Sequence, residues 1–582
     1  MAAKNSNSSI SKRKKFEILR SQLETERASF LSVWRELGDH ILPMRPRFTT
    51  SENNRGERKN QKIINSTATL AARTLRSGMM SGVTSPARPW FRLAVPDPSL
   101  MEAGPIKDWL YIVSERMSAA FLKSNLYNVL PIIYGDMGAF GTGAMMVEED
   151  IDNVLHFYAF PVGSFSIAAN DKGRVDVFTR DFRMTVRQLV QRFGKRDPSG
   201  QIIWDNFSPQ VRNQYDRGEL ESWIEVAHVI QPNEDHDDSK LHSKFKKYLS
   251  CYYERGQSQG SSSSDDDRVL REMGYDYFPV LCPRWEVTGE DVYGTECPGM
   301  MSLGDNKALQ VMEKRKMQAV EKMVNPPMVA PTSMRNAKTS LLPGDVSFSD
   351  EREGTRGFRP AHEINPRVVE LNDDISRYEN RIQRCFYADL FLMLQNDSRS
   401  NVTAREIEER HEEKLLALGP VLEQLNQDLL DPLIDIAFII MERQGQLPEP
   451  PPEIQGTALR VEYISIMAQA QKLQGIASLE RFVGIVGQIA QFKPGALDKL
   501  DEDQTIDVFA DRLSIQPGIV KSDDLVAQIR QAQQQAQQAA QATQTIQAGA
   551  SAMKDLSQAN VSEDNALNRL IENANAGQLV QQ

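Results

Sequence analysis

Between Gly299 and Arg443 the apolar positions fall into three long stripes separated by polar or proline-marked breaks. The first stretch, GMMSLGDNKALQVMEKRKMQAVEKMVN, reads as a helix ended by Pro326-Pro327, because proline lacks an N–H and disfavours helix in the residue before it. About forty residues of Pro/Gly-marked sequence follow. Asn365-Pro366 then supplies a cap residue and a proline suited to the first helical position. Beyond it Val368, Leu371, Ile375, Tyr378, Ile382, Cys385, Asp389 or Leu390, and Met393 recur every three or four residues, which predicts a second helix with one apolar face. The polar run QNDSRSN closes it. Leu415, Leu418, Leu422, Leu425, Leu429, Leu433, Ile436 and Ile440 mark a third, longer helix. Gly419-Pro420 and Asp431-Pro432 interrupt that stripe, so it is either kinked or restarted with Asp431 as a cap. The first two helices span roughly 40 Å each and the third nearer ~60 Å. Apolar faces of that length need flat neighbours, which predicts identical copies packed side by side.

The flanking chain is shorter in period. Leu19, Leu23, Phe30, Val33 or Trp34, Leu37 and Ile41 predict an amphipathic helix over 16–42, and further helices are expected at 63–80, 105–122 and 126–138. SGMMSGVTSPARPWFRL (77–93) reads as a loop running into a short strand. From about 143 to 290 the runs AMMVEED, LHFYAFP, SFSIAAN, VDVFTRDF and SWIEVAHVI are short and partly alternating, the mark of a β-containing lobe. GQSQGSSSSDDD (256–267) is a flexible loop or hairpin tip within it. After a proline-rich hinge at 447–452, residues 461–492 predict one or two helices and 504–513 another. The Gln/Ala-rich stretch 525–547 is either a frayed tail or a helix that forms against copies of itself.

Size and charge narrow the class. With 582 residues and 40% hydrophobic content the chain has material for a large core, and its net charge of −11 excludes a basic nucleic-acid coat. Cys251, Cys282, Cys297 and Cys385 form no CxxC pair, which points to reduced thiols rather than a disulfide frame or zinc site. The basic N-terminus has no apolar segment behind it, and no run approaches a membrane span, so a soluble protein is expected.

The chain is poor in candidate chemistry. The GTG at 141–143 lacks the rest of a phosphate-binding loop and reads as a turn between helix and strand. His236 and His242 lie in NEDHDDSKLH, a solvated loop by preference and a metal site by alternative. No GxSxG, HExxH, Walker or kinase set appears, so no enzyme activity, metal or cofactor is expected. Basic residues are more informative. Arg377, Arg381 and Arg384 lie at i, i+4 and i+7 on the second helix, and Lys314, Arg315 and Lys316 cluster on the first. They are solvated or paired with acids of a neighbouring copy, or they form weak basic rings around duplex DNA.

Several stretches together resemble the portal proteins, the head-to-tail connectors, of short-tailed bacteriophages: SGMMSGVTSPARPWFRL, YGDMGAFGTGAMMVEED (134–150), FPVGSFSIAANDKGRVDVFTRDFRMTVRQLVQRFG (160–194), PRWEVTGEDVYGTECPGM (283–300), REIEERHEEKLLALGPVLEQLNQDLLDPLI (405–434) and VEYISIMAQAQK (461–472). They occur in the family's order and span roughly 16–515. The resemblance implies a mainly α, α+β portal fold assembled as a ring, usually of twelve subunits, around a DNA channel.

Carried onto this chain, it implies a disordered N-terminus at 1–15, a wing at 16–298 and stem helices at 299–325 and 366–394 around a clip at 326–365. A channel loop at 395–402, a long wing helix at 403–446 and a crown at 447–515 follow, with a C-terminal segment at 516–582 that is either a helical barrel or a tail. The channel residues would be Lys314, Lys316, Arg377, Arg381, Arg384, Asn396 and Arg399, and the docking clip would present Arg335, Lys338, Arg352, Arg356 and Arg359. The implied partners are further copies of the chain, double-stranded DNA bound without regard to sequence, the terminase large subunit, the major capsid protein, scaffold and tail adaptor proteins. The implied place is the portal vertex of the virion, after synthesis in the host cytoplasm. A tail adaptor ring without terminase contact is the alternative. A DNA-processing enzyme or terminase component would need a nucleotide-binding loop and an acidic metal cluster, and neither is seen.

Overall fold

In the computed structural model the described residues are 11–51, 59–97, 104–240, 242–255, 268–289, 291–324, 328–329, 335, 359–360, 368–395, 418–456, 459–463, 481–489, 500–501, 503–506, 509 and 526–538. The chain divides into two units, Met1–Pro96 with Trp109–Leu479 and Asp97–Asp108 with Glu480–Gln582.

The first unit is built on a five-stranded antiparallel sheet. In chain order its strands are β4 (Phe165–Ala169), β5 (Val175–Thr185), β8 (Trp223–Pro232), β9 (Tyr248–Glu254) and β10 (Arg271–Tyr275), and across the sheet the order is β10-β9-β8-β5-β4. Successive side chains of β8 point to opposite faces. Ala227 and Val229 pack with Phe16 of helix α1 (Lys12–His40), while Ile224 and Val226 pack with Val186, Leu189 and Phe193 of α5 (Val186–Phe193). Helix α1 begins where Ser11 accepts the Lys14 amide at 3.3 Å. A reciprocal cap between Thr185 and Gln188, at 3.1 and 3.3 Å, starts α5.

A second sheet, β11 (Val280–Leu281), β2 (Met145–Asp150) and β3 (Val154–Ala159), carries β3 at its edge. Asn125 covers that edge: its Oδ1 accepts the Phe157 amide at 2.8 Å and its Nδ2 donates to the Phe157 carbonyl at 2.7 Å. An edge strand so covered offers fewer free backbone groups to another chain. Helix α4 (Leu126–Phe140) has most of its residues buried. It packs on α2 (Thr67–Gly82), with α3 (Gly104–Lys123) preceding it in the chain.

Three expectations are corrected here. The second long stripe is not one helix: α8 (Val368–Cys385) and α9 (Ala388–Gln395) are separated at Phe386-Tyr387. Tyr387 takes the left-handed conformation (φ 53°) with its ring 6.3 Å from that of Trp285. The apolar spacing runs straight across the break, so periodicity does not reveal it. The start of 461–492 is also not helical. Arg460–Tyr463 forms β14, paired antiparallel with β1 (Phe91–Ala94), and Arg92 grips Glu462 at 2.6 and 2.8 Å. In addition α2 runs to Gly82, so the loop expected at 77–93 begins later.

The third stripe is helical through 419–443, with α10 (Gly419–Leu425) joined to α11 (Asp431–Arg443) by a π-wound turn at Asn426–Leu430. Pro420 and Pro432 each stand in the first turn of an α segment, where a missing N–H costs least. In the second unit, residues 481–489, 503–506 and 526–538 are helical, and Arg530 pairs with Asp503 at 2.6 and 2.8 Å. The expected loops at 256–267 and 395–401 lie outside the described residues, apart from Gln395 at the end of α9, as does the tail beyond Gln538.

Candidate functional site

Helix α7 (Pro298–Val324) packs along α8, and α2 packs on α8 in turn. A buried amide seam fixes the pair. Gln310 on α7 accepts the amides of Ile64 and Asn65 at 2.7 and 2.8 Å and donates to the Asn65 carbonyl at 2.9 Å and to Asn306 at 2.8 Å. Asn65 donates onward to Glu313 on α7 at 3.2 Å and to Glu379 on α8 at 2.8 Å. One asparagine outside both helices thus sets their mutual position. Sequence reading missed it, although polar Asn306 and Gln310 on an otherwise apolar stripe were a signal.

Beyond the seam the same side of α7 continues as Met317, Val320 and Val324, spaced three and four apart and 60%, 41% and 81% exposed. A stripe that the chain buries at Ser302, Asn306 and Leu309 is therefore open to solvent about two helical turns further on. Just past Val324 a two-residue antiparallel ribbon, β12 (Met328–Val329) with β13 (Arg359–Pro360), brings together the two ends of the insert.

Three of the basic residues stand beside an acid of the same chain. Arg381 reaches across from α8 to Asp305 of α7 at 3.0 Å, its guanidinium 5.4 Å from the centre of the Tyr378 ring. Arg377 lies 3.5 Å from Asp374, and Lys316 lies 3.2 Å from Glu313. Lys314, Arg315, Arg384 and Arg335 are exposed. The backbone of Arg359 lies in β13, and Asn396, Arg399, Lys338, Arg352 and Arg356 lie outside the described residues. Arg381 therefore joins two helices as well as adding charge.

The GTG at 141–143 is a joint. Gly141 takes φ 83° as the cap of α4, its amide donates to Met137 at 3.0 Å and the Gly143 amide donates to Pro283 at 3.0 Å. Thr142 accepts the Gly294 amide at 2.8 Å, and a Cβ on Gly141 would lie 2.3 Å from the Gly294 carbonyl oxygen. These amides are satisfied internally, so the turn is structural and no phosphate cradle is formed. In the polar loop His236 lies 2.9 Å from Asp238, and His242 accepts the Lys244 amide at 3.2 Å. Among the described residues no three His, Cys, Asp or Glu side chains gather as metal ligands, and no helix is long and apolar enough to cross a membrane.

Next to this joint sits a buried ion pair. Arg284 holds Asp428 of the π turn through Nε at 2.9 Å and a second nitrogen at 3.0 Å, with only 2% and 7% of the two side chains exposed. Arg284 also donates to the Gly173 carbonyl at 2.8 Å, and Gln424 donates to Asp428 at 2.9 Å.

The model of the family described as bacteriophage head to tail connecting protein matches residues 13–520. The chain belongs to that family. It is 49% identical over 558 residues to the portal protein of Salmonella phage epsilon15, covering 96% of this chain and 98% of that protein. It is 43% identical over 546 residues to the probable portal protein of Bordetella phage BPP-1, covering 94% and 95%. The match spans the sheet, the paired helices and the π-wound helix alike, and the role it brings is that of a phage head–tail connector, a structural component of the virion.

Proposed function

We propose that this connector assembles as a ring of twelve copies at the portal vertex, conducts the genome through its axis in both directions, and docks the terminase and later the tail. Copies are made in the host cytoplasm and meet scaffold and the major capsid protein during head assembly. The chain itself performs no catalysis; the packaging motor is the terminase.

The observation that supports this best is the paired α7 and α8 with an insert that leaves and returns at one ribbon. Paired helices provide a stem, and an insert anchored at its root can be altered without unravelling them. The open stripe at Met317, Val320 and Val324 gives a neighbouring copy an apolar surface to cover. Charge also fits passage. A ~40 Å stem faces roughly 24 phosphates of duplex DNA, so a fully basic tunnel repeated around a ring would hold DNA and stall it. A subunit of net charge −11 in which Arg377, Arg381 and Lys316 each stand beside a carboxylate has a partly offset basic face, which suits weak sliding contacts.

Two variants test this. Excising residues 332–356 and closing the ribbon with a short turn is expected to leave the assembly intact while abolishing terminase binding; normal terminase binding would refute the docking role. Replacing Arg377, Arg381 and Arg384 with glutamine is expected to reduce packaged or retained DNA in assembled heads. Unchanged assembly together with unchanged packaging and retention would refute their channel role.

A further inference from the structure

We propose that the π turn at Asn426–Leu430 is a latch, held open by two independent constraints, whose release rewinds the helix and turns its 419–425 limb about α11. A π turn inserts an extra residue into a helix and is rare enough to need a local cause. Two causes converge on Asp428. In α winding its carbonyl would accept from residue 432, but Pro432 has no N–H and its ring would collide with that same carbonyl. The π turn relieves the clash, and the Asp431 amide donates to Asn426 instead. The Asp428 carboxylate is meanwhile gripped at two atoms by the buried Arg284.

Both ends of the device are anchored. Arg284 sits opposite Thr142 in an isolated bridge, beside the close-packed Gly141 and Gly294 backbones, between β11 and the start of α7. On the other side Tyr463 donates its hydroxyl to Asp431, and β14 holds Tyr463 against β1. The limb 419–425 has the π turn between itself and that second anchor. Loss of one residue from the turn would rotate the limb by about 100° and shift it by about 1.5 Å. Asp428 cannot follow that rotation and keep both bonds to Arg284, so movement of the Arg284 seat and winding of the helix are coupled.

The test is a density map of the assembled full-length protein, with hydrogen exchange of the 419–430 amides, for wild type, Asp428→Asn, Pro432→Ala and the double variant. Asp428→Asn keeps the shape and removes the charge that Arg284 grips; Pro432→Ala restores the missing N–H. With both constraints removed the account predicts α winding at 426–430, a limb turned relative to α11, and exchange in 419–430 changed about tenfold or more while β1 and β14 keep wild-type protection. Each single variant keeps one constraint and is expected to stay π-wound with faster exchange in 419–430 than wild type. Should the double variant fail to fold, the exchange of the single variants decides. A folded double variant that stays π-wound, or single variants with wild-type exchange, overturns the proposal.

Discussion

Gly78 of α2 faces Phe391 of α9 so closely that a Cβ built on the glycine would lie 2.1 Å from a ring carbon. This contact fixes the piece of chain that follows the Tyr387 break. A Gly78→Ala substitution gains helix propensity in isolation but must push a buried aromatic ring aside, and overpacking of this kind costs about 1–3 kcal/mol. The expected result is a lowered thermal midpoint. In a Phe391→Ala background, which removes the ring carbons nearest the added methyl, the same alanine should cost clearly less, and equal costs in both backgrounds would show that the contact is not the cause.

Asn65 should matter out of proportion to its size. Removing its side chain in Asn65→Ala leaves Glu379 and Glu313 without their shared donor, which is expected to cost about 1–3 kcal/mol. Asn65→Asp replaces the donor with a third carboxylate and should be worse. Denaturant unfolding followed at α7 and α8 checks this, and a harmless Asn65→Asp would contradict the hub.

Asp181 gives the protein a pH dependence of predictable sign. Burial raises its carboxyl from the ordinary 3.8 to about 6, against the opposing pull of Arg20 at 2.9 Å and Arg255 at 3.0 Å. The folded state therefore binds more protons than the unfolded one between those values. The stabilisation this provides is complete below about pH 3.8 and is lost as pH rises through about 6. Wild type minus Asp181→Asn stability should accordingly fall between pH 4 and pH 7, and a flat difference would rule this out.

Most helices were legible because three-and-four spacing survives any fold that buries one face, as in α1, α7 and α11. The β lobe was legible from short alternating runs. What escaped was set by distant partners. Tyr463 sits in a run that reads as helical from its neighbours, yet it pairs with Phe91 far upstream, and that partner decides its conformation. Arg284 and Asp428 lie in separate stretches with nothing local to connect them, so neither the buried pair nor the π turn could be foreseen. The basic face at Arg377 and Arg381 was visible as a pattern, as was Asp374 three residues before Arg377, but the pairing of Arg381 with Asp305 was not, because Asp305 stands on another helix.

The central claim is that copies of this chain close into a conduit, and the most direct test is the mass and symmetry of the purified full-length protein, by light scattering and averaged electron micrographs. The account predicts a closed ring near twelvefold with an open axial hole, and loss of that ring when Met317, Val320 and Val324 are changed together to glutamate. A stable monomer or dimer, at high concentration and with scaffold protein added, would contradict it.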